Sequence, residues 1–143
     1  MSRRRKVLVW MTIALAGSIG VGAMGLAEDP AGAESVRTVH IRIHFSRFDP
    51  GNVMIAPGET ARFVIENSDP IDHEFIVGDS RLQLAHERGT EAHHAPRPGE
   101  ISVPAGATRS TTVTFPVDLG ATLFGCHLPG HYAYGMVGTI EVS

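Results

Sequence analysis

The chain has a single cysteine, Cys126, among its 143 residues. One thiol cannot close a disulfide within the chain, so it is free, pairs outside the chain or binds a metal. Lysine is absent after Lys6, and residues 28–143 carry eight arginines against 15 acidic residues, a net charge of −7. That charge argues against nucleic acid or an anionic membrane surface as a partner. It leaves open a basic docking partner or a simple role in solubility.

Residues 34–143 also lack an internal repeat and any amphipathic helical stretch of useful length. Polar and apolar residues instead alternate over residues 36–45 and 60–66, where Ala61, Phe63 and Ile65 share one face, as in half-buried strands. Turns rich in Gly and Pro separate these from further short strands, which we place at residues 53–55, 73–77, 101–103, 110–115, 121–126 and 137–142. This pattern predicts an all-β sandwich or barrel, with Met54 in its core.

One segment interrupts the rhythm of short strands. Residues 78–99 predict a long surface excursion with at most two helical turns, and its few apolar residues indicate a mobile segment. It holds a polar cluster of His86, Glu87, Glu91, His93 and His94. The cluster is either a second, weaker metal site or a flexible polar loop, since neighbouring histidines without rigid support rarely fix a coordination geometry.

The N-terminus has the parts of an export signal. Basic residues 3–6 precede an uncharged stretch over residues 7–27, and small residues follow, as in a secretory signal peptide. We therefore predict a signal peptide or N-terminal membrane anchor over residues 1–33. The anchor is the alternative because 21 uncharged residues are just long enough to span a bilayer. The remaining 34–143 form one domain, with a periplasmic or other extracytoplasmic location.

Residues 125–136 read Gly-Cys-His-Leu-Pro-Gly-His-Tyr-Ala-Tyr-Gly-Met, and they lie between two predicted strands. Cys126, His131 and Met136 follow one another at intervals of five residues. Thiolate and thioether sulfurs suit Cu(I), imidazoles suit both copper oxidation states, and two histidines with one cysteine and a weak axial methionine form a copper site. The loop supplies only one of these histidines. His73, at the start of a short strand, is the best candidate for the second.

With these residues the chain from Val36 resembles the cupredoxin (plastocyanin/azurin) family. The matching pieces are Phe48-x-Pro50 with Pro57-Gly58, Asn67 before His73-x-Phe75, and the ligand loop with Gly135 and Gly138, whose spacing is similar to that of rusticyanin-like members. The resemblance implies a Greek-key β-sandwich and one type-1 copper ion, cycling between Cu(I) and Cu(II), bound by His73, Cys126, His131 and Met136.

The resemblance also implies a function. We expect an exported electron carrier that exchanges single electrons with redox protein partners, and we expect it to be a monomer. No small-molecule substrate and no catalysis are expected, because such a site has no open position. The alternative is a periplasmic copper-binding or copper-resistance protein, which the histidine-rich excursion favours. No His-x-His pair occurs, which argues against an oxidase with a trinuclear copper cluster.

Two residues depart from the family pattern beside the ligands. Glu74 follows His73, where many members have Asn, and His127 follows Cys126, where many have Ser or Thr. Glu74 and His127 either point separately into solvent or form a hydrogen bond that replaces the usual link between the ligand loops. The nearby carboxylate would then raise the pKa of His127.

Overall fold

Nine β-strands and one short helix make up residues 36–90 and 96–143, the part of the chain that the computed structural model describes. The elements are β1 (Arg37–Ile43), β2 (Phe48–Asp49), β3 (Asn52–Ile55), β4 (Thr60–Asn67), β5 (His73–Gly78), α1 (Ser80–Glu87), β6 (Glu100–Val103), β7 (Thr108–Thr114), β8 (Ala121–Gly125) and β9 (Val137–Val142). One sheet has the strand order β2-β1-β4-β7 and the other β3-β9-β8-β5-β6. The predicted all-β sandwich is confirmed.

Alternation along β1 and β4 builds one wall of the core. The two strands are parallel, and their register places Val39 beside Phe63 and Ile41 beside Ile65. All four side chains are buried. Ala61, Phe63 and Ile65 share the buried face, as predicted, because successive residues of a strand point to opposite faces of the sheet.

Phe75 lies at the centre of the aromatic core. Its ring centroid is 5.9 Å from that of Phe48, 5.4 Å from Phe63 and 5.2 Å from Phe124. Ring pairs at such distances stabilise a core beyond the area they bury. Phe75 lies two residues after His73, on the same face of β5. The packed core therefore fixes the strand that presents this histidine.

One expectation about the fold was wrong. Met54 is 60% exposed on β3, whereas Val53 and Ile55 on either side are buried. Strand alternation decides the matter, since hydrophobicity alone does not tell which face a residue occupies. The short helix expected in the excursion is present as α1 (Ser80–Glu87). Asp79 caps helix α1 by accepting a hydrogen bond from the Leu82 N–H (2.8 Å), and the helix packs against β5 and β8.

The predicted export segment, residues 1–33, lies outside the described residues. Within the part of the chain that is described, none of the helices is long and apolar enough to cross a membrane. The boundary at residue 34 stays a prediction.

Candidate metal centre

His73 opens β5 directly after a turn that a buried asparagine organises. The Asn67 side-chain amide donates to the backbone carbonyls of Ile71, Val103 and Pro104 at 2.8, 3.0 and 3.1 Å. These bonds join the turn to the end of β6, where Val103 pairs with His73. The histidine ring is completely buried. Its position is therefore determined by backbone contacts before any metal is considered.

The loop between β8 and β9 folds back on itself through backbone hydrogen bonds. The Cys126 N–H donates to the Met136 carbonyl (3.1 Å), the Met136 N–H to His131 (2.9 Å), and the His131 N–H to Leu128 (2.9 Å). Gly135, with φ of 90°, adopts a backbone conformation that other residues rarely tolerate. The loop thus holds Cys126, His131 and Met136 together at one end of the sandwich.

Three donor atoms converge at this end of the molecule. Nδ1 of His73 lies 3.2 Å from Nδ1 of His131, and the Cys126 Sγ lies 3.2 Å from His131 Nδ1 and 3.9 Å from His73 Nδ1. Among the described residues this is the one group of histidine, cysteine and carboxylate side chains spaced to share a metal ion. Cys126 and Met136 are completely buried, and His131 is half-buried.

The surroundings of the Cys126 thiol act on its pKa in opposite directions. Burial raises its pKa, whereas the backbone N–H groups of Leu128 and Glu74 oppose that rise by hydrogen bonding to the sulfur. The Glu74 N–H lies 3.3 Å from Sγ. A metal must therefore displace the thiol proton, and the two N–H groups then stabilise the thiolate that binds it.

The His73 ring is oriented by a second buried residue, Asp69. Nε2 of His73 lies 3.0 Å from Oδ2 of Asp69. Burial alone raises the pKa of Asp69, but the N–H groups of Ser46 and Phe45 and the His73 ring hold it below its usual value. The ionised carboxylate can only accept hydrogen bonds, so Nε2 of His73 donates to it and the lone pair of Nδ1 faces His131 Nδ1 and the Cys126 Sγ, where a metal ion would accept it.

The sequence is similar to that of known copper-binding proteins. The sequence profile of copper-binding proteins of the plastocyanin/azurin family matches residues 37–143. The chain belongs to this family. The cupredoxin is 37% identical over 115 residues to the "Copper-resistant cuproprotein CopI" of Rubrivivax gelatinosus, spanning 77% of this chain and 68% of that protein. It is 31% identical over 134 residues to the protein of the same name in Vibrio cholerae, spanning 87% and 76%.

Solved structures agree on the fold of this cupredoxin. Auracyanin B matches 75% of this chain and 88% of its own with a TM-score of 0.61 and 22% identity. Reduced auracyanin of Roseiflexus castenholzii matches 74% and 96% with the same TM-score and 21% identity. Both likenesses support the β-sandwich alone.

The donor set fits the copper cofactor that the family binds. Two imidazole nitrogens and one thiolate suit a copper ion that changes between Cu(I) and Cu(II). The buried Met136 is joined through its backbone to both Cys126 and His131. Its thioether is the remaining soft donor of the loop.

Neither interpretation of His127, a hydrogen bond with Glu74 or a side chain in solvent, matches the structure, where the His127 side chain is 3% exposed. His127 directs Nε2 to the Gln83 side-chain oxygen (2.7 Å) and Nδ1 to a carboxylate oxygen of Glu87 (3.2 Å). Its pKa is lowered, chiefly by burial, although the hydrogen bond with Glu87 opposes that change. Sequence reasoning missed this because it left α1 out of the packing beside the ligand loop, where the helix supplies both partners.

Gln83 is the second residue that sequence reasoning missed. It is buried on α1, and its amide nitrogen donates to the backbone carbonyls of Ile76 (3.0 Å) and Gly78 (3.3 Å). Those bonds leave its oxygen to accept from Nε2 of His127. A Cβ at Gly125 would lie 2.9 Å from this oxygen. A glutamine between two leucines, with a glycine before the cysteine, was the available signal.

The polar cluster of the excursion is only partly described. The His86 ring stacks on His127 with centroids 5.4 Å apart, and its Nε2 lies 4.0 Å from a carboxylate oxygen of Glu100. Glu91, His93 and His94 lie outside the described residues. The prediction that this cluster is either a second metal site or a polar loop therefore stays open.

Proposed function

We propose that this chain is a copper-resistance cuproprotein that binds one copper ion outside the cytoplasm. His73, Cys126, His131 and Met136 are the proposed ligands. The observation that carries the proposal is the convergence of the two Nδ1 atoms and the thiol within 3.2–3.9 Å of one another. The relatives in three bacteria that carry the name copper-resistant cuproprotein support the biological role.

The burial of the ligands suits tight retention of copper. Water has little access to Cys126, His73 or Met136, and the backbone hydrogen bonds of the loop hold the donors before the ion arrives. A preorganised site needs little reorganisation on binding. Soft sulfur donors also let the site accept Cu(I) as readily as Cu(II). The gathered ligands leave no position for a substrate, so we do not propose an enzymatic activity.

A single-electron carrier is the second candidate function. A fixed set of four ligands changes little when copper changes oxidation state, and the half-buried His131 provides a route for electrons to reach a redox protein partner. The negative charge of residues 28–143 would favour a basic docking face on that partner. The two functions share one copper site. They differ in the defect expected when the protein is absent: loss of copper tolerance or loss of electron transfer.

Deletion of the gene distinguishes the two functions. For copper resistance, we expect the deletion strain to stop growing at copper concentrations that the parent tolerates, wild-type protein to restore growth, and Cys126→Ser to fail. Normal copper tolerance together with a respiratory or photosynthetic defect would contradict this proposal and favour the electron carrier. Met54→Leu, a change at an exposed methionine of β3, is the matched control and should restore growth.

A further inference from the structure

Asp69 is a buried acidic residue that is not among the residues carrying the family resemblance. Its side chain is 6% exposed, and an ionised group is rarely buried without partners that offset the loss of water. One of those partners is the proposed ligand His73. The remainder come from the loop at residues 44–47, which makes no contribution of its own to the ligand set.

The loop is shaped to supply donors to this carboxylate. The Phe45 N–H donates to Oδ1 and the Ser46 N–H to Oδ2, each at 2.7 Å. Both residues have φ of 51°, a backbone conformation that residues other than glycine seldom adopt. The chain accepts two such residues in a row where they turn their N–H groups to Asp69. Of the ionisable groups nearby, His44 Nδ1 lies 3.7 Å from Oδ1.

The carboxylate acts on the metal side of His73 through the ring. With Nε2–H donated to Asp69, the only lone pair of the neutral ring is on Nδ1, which faces Cys126 and His131. A hydrogen bond from a ligating histidine to a carboxylate makes the imidazole a stronger donor. Stronger donation and a buried negative charge stabilise Cu(II) more than Cu(I), because Cu(II) carries the larger positive charge.

We propose that Asp69 is a positioning residue that holds Nδ1 of His73 toward the copper ion and shifts the site toward Cu(II). This inference rests on the proposed role of His73 as a ligand. Its consequence is a lower reduction potential than a neutral partner at Nε2 would give. A purely structural role, in which Asp69 only anchors the loop at residues 44–47, would leave the preference between the two oxidation states unchanged.

Asp69→Asn and Asp72→Asn form the matched pair that tests the proposal. Asp72 lies on the same turn and its Oδ1 accepts the Ala105 N–H (2.9 Å). Its charge acts on His73 without a hydrogen bond to the ring. Titrations with Cu(II) and Cu(I) should show that Asp69→Asn loses about 10–100-fold in Cu(II) affinity. Cu(I) affinity should change less, and each tenfold difference raises the reduction potential by about 59 mV.

The outcomes separate this inference from the proposed function. A rise in potential for Asp69→Asn well above that for Asp72→Asn supports the inference. Equal shifts in the two variants overturn it. The copper site itself still stands if the oxidised protein keeps the visible absorption band that arises from charge transfer between the Cys126 thiolate and Cu(II). Absence of that band from the wild-type protein overturns the ligand assignment itself.

A measurement on the wild-type protein covers the case in which Asp69→Asn does not fold. Side-chain ¹H–¹⁵N spectra of the diamagnetic Cu(I) form should show a slowly exchanging Nε2–H on His73, close to the Phe45 and Ser46 amide protons. A His73 ring bound to the metal through Nε2, or lacking that proton, would overturn the proposal.

Discussion

At the scale of single residues, the two methionines among the described residues, Met136 and Met54, show how position decides chemistry. Met136 is completely buried at the end of the ligand loop, whereas Met54 is 60% exposed on β3. A thioether is a weak axial donor, and a purely apolar side chain in its place favours Cu(I). Residue type alone does not distinguish these roles, but the five-residue interval from His131 to Met136 does.

We expect Met136→Leu to retain copper and to raise the reduction potential. Leucine conserves the volume of the side chain, so the fold should lose less than about 1.5 kcal/mol of stability. Voltammetry of the copper-loaded protein is the measurement, with Met54→Leu as the control that leaves the potential unchanged. If both variants have the wild-type potential, Met136 is not the axial ligand.

At the scale of secondary-structure elements, strands were easier to predict than the packing of α1. Alternation placed Ala61, Phe63 and Ile65 on one buried face, because the periodicity of a strand is a local property of the sequence. The interval between Cys126, His131 and Met136 is local as well. The roles of Gln83 and Asp69 depend on contacts with residues distant in the chain. A single polar residue outside any periodic pattern gives no local sign of such a contact.

We expect Gln83→Ala to destabilise the protein by about 1–3 kcal/mol. The change removes the α1 partner of the Ile76 and Gly78 carbonyls and of Nε2 of His127, and buried polar groups left unsatisfied are costly. Urea unfolding of the metal-free protein gives the free energy. Arg81→Ala, at an exposed position of the same helix, is the control. Equal unfolding free energies for the two variants would show that α1 is not anchored through Gln83.

We expect replacement of His86, His93 and His94 together by Ala to preserve the copper charge-transfer band. His86 is not among the donors that converge on Cys126, and its ring instead stacks on His127. Absorption spectroscopy and a copper titration are the measurements. Disappearance of the band would mean that one of the three is a ligand in place of His73. Loss of only a second, weaker binding event would show that the excursion binds copper.

At the scale of the whole molecule, copper should add to the stability of the sandwich. An ion that binds only the folded state at about 1,000 times its dissociation constant stabilises it by roughly 4 kcal/mol. We therefore expect removal of copper to lower the melting temperature by roughly 10–20 °C. Calorimetry with and without a chelator measures the change. The melting temperature of Cys126→Ser should change little when copper is removed. An equal change in the wild type and in Cys126→Ser would mean that the stabilising ion binds elsewhere.

The absorption spectrum of the copper-loaded protein tests the central claim most directly. A thiolate bound to Cu(II) in a site with two histidines should give an intense charge-transfer band in the visible region. Cys126→Ser should remove that band while circular dichroism shows the β-sandwich intact, because the strands hold the fold. A Cu(II) form with only weak bands, or a band that survives in Cys126→Ser, would contradict the assignment of Cys126 as the copper ligand.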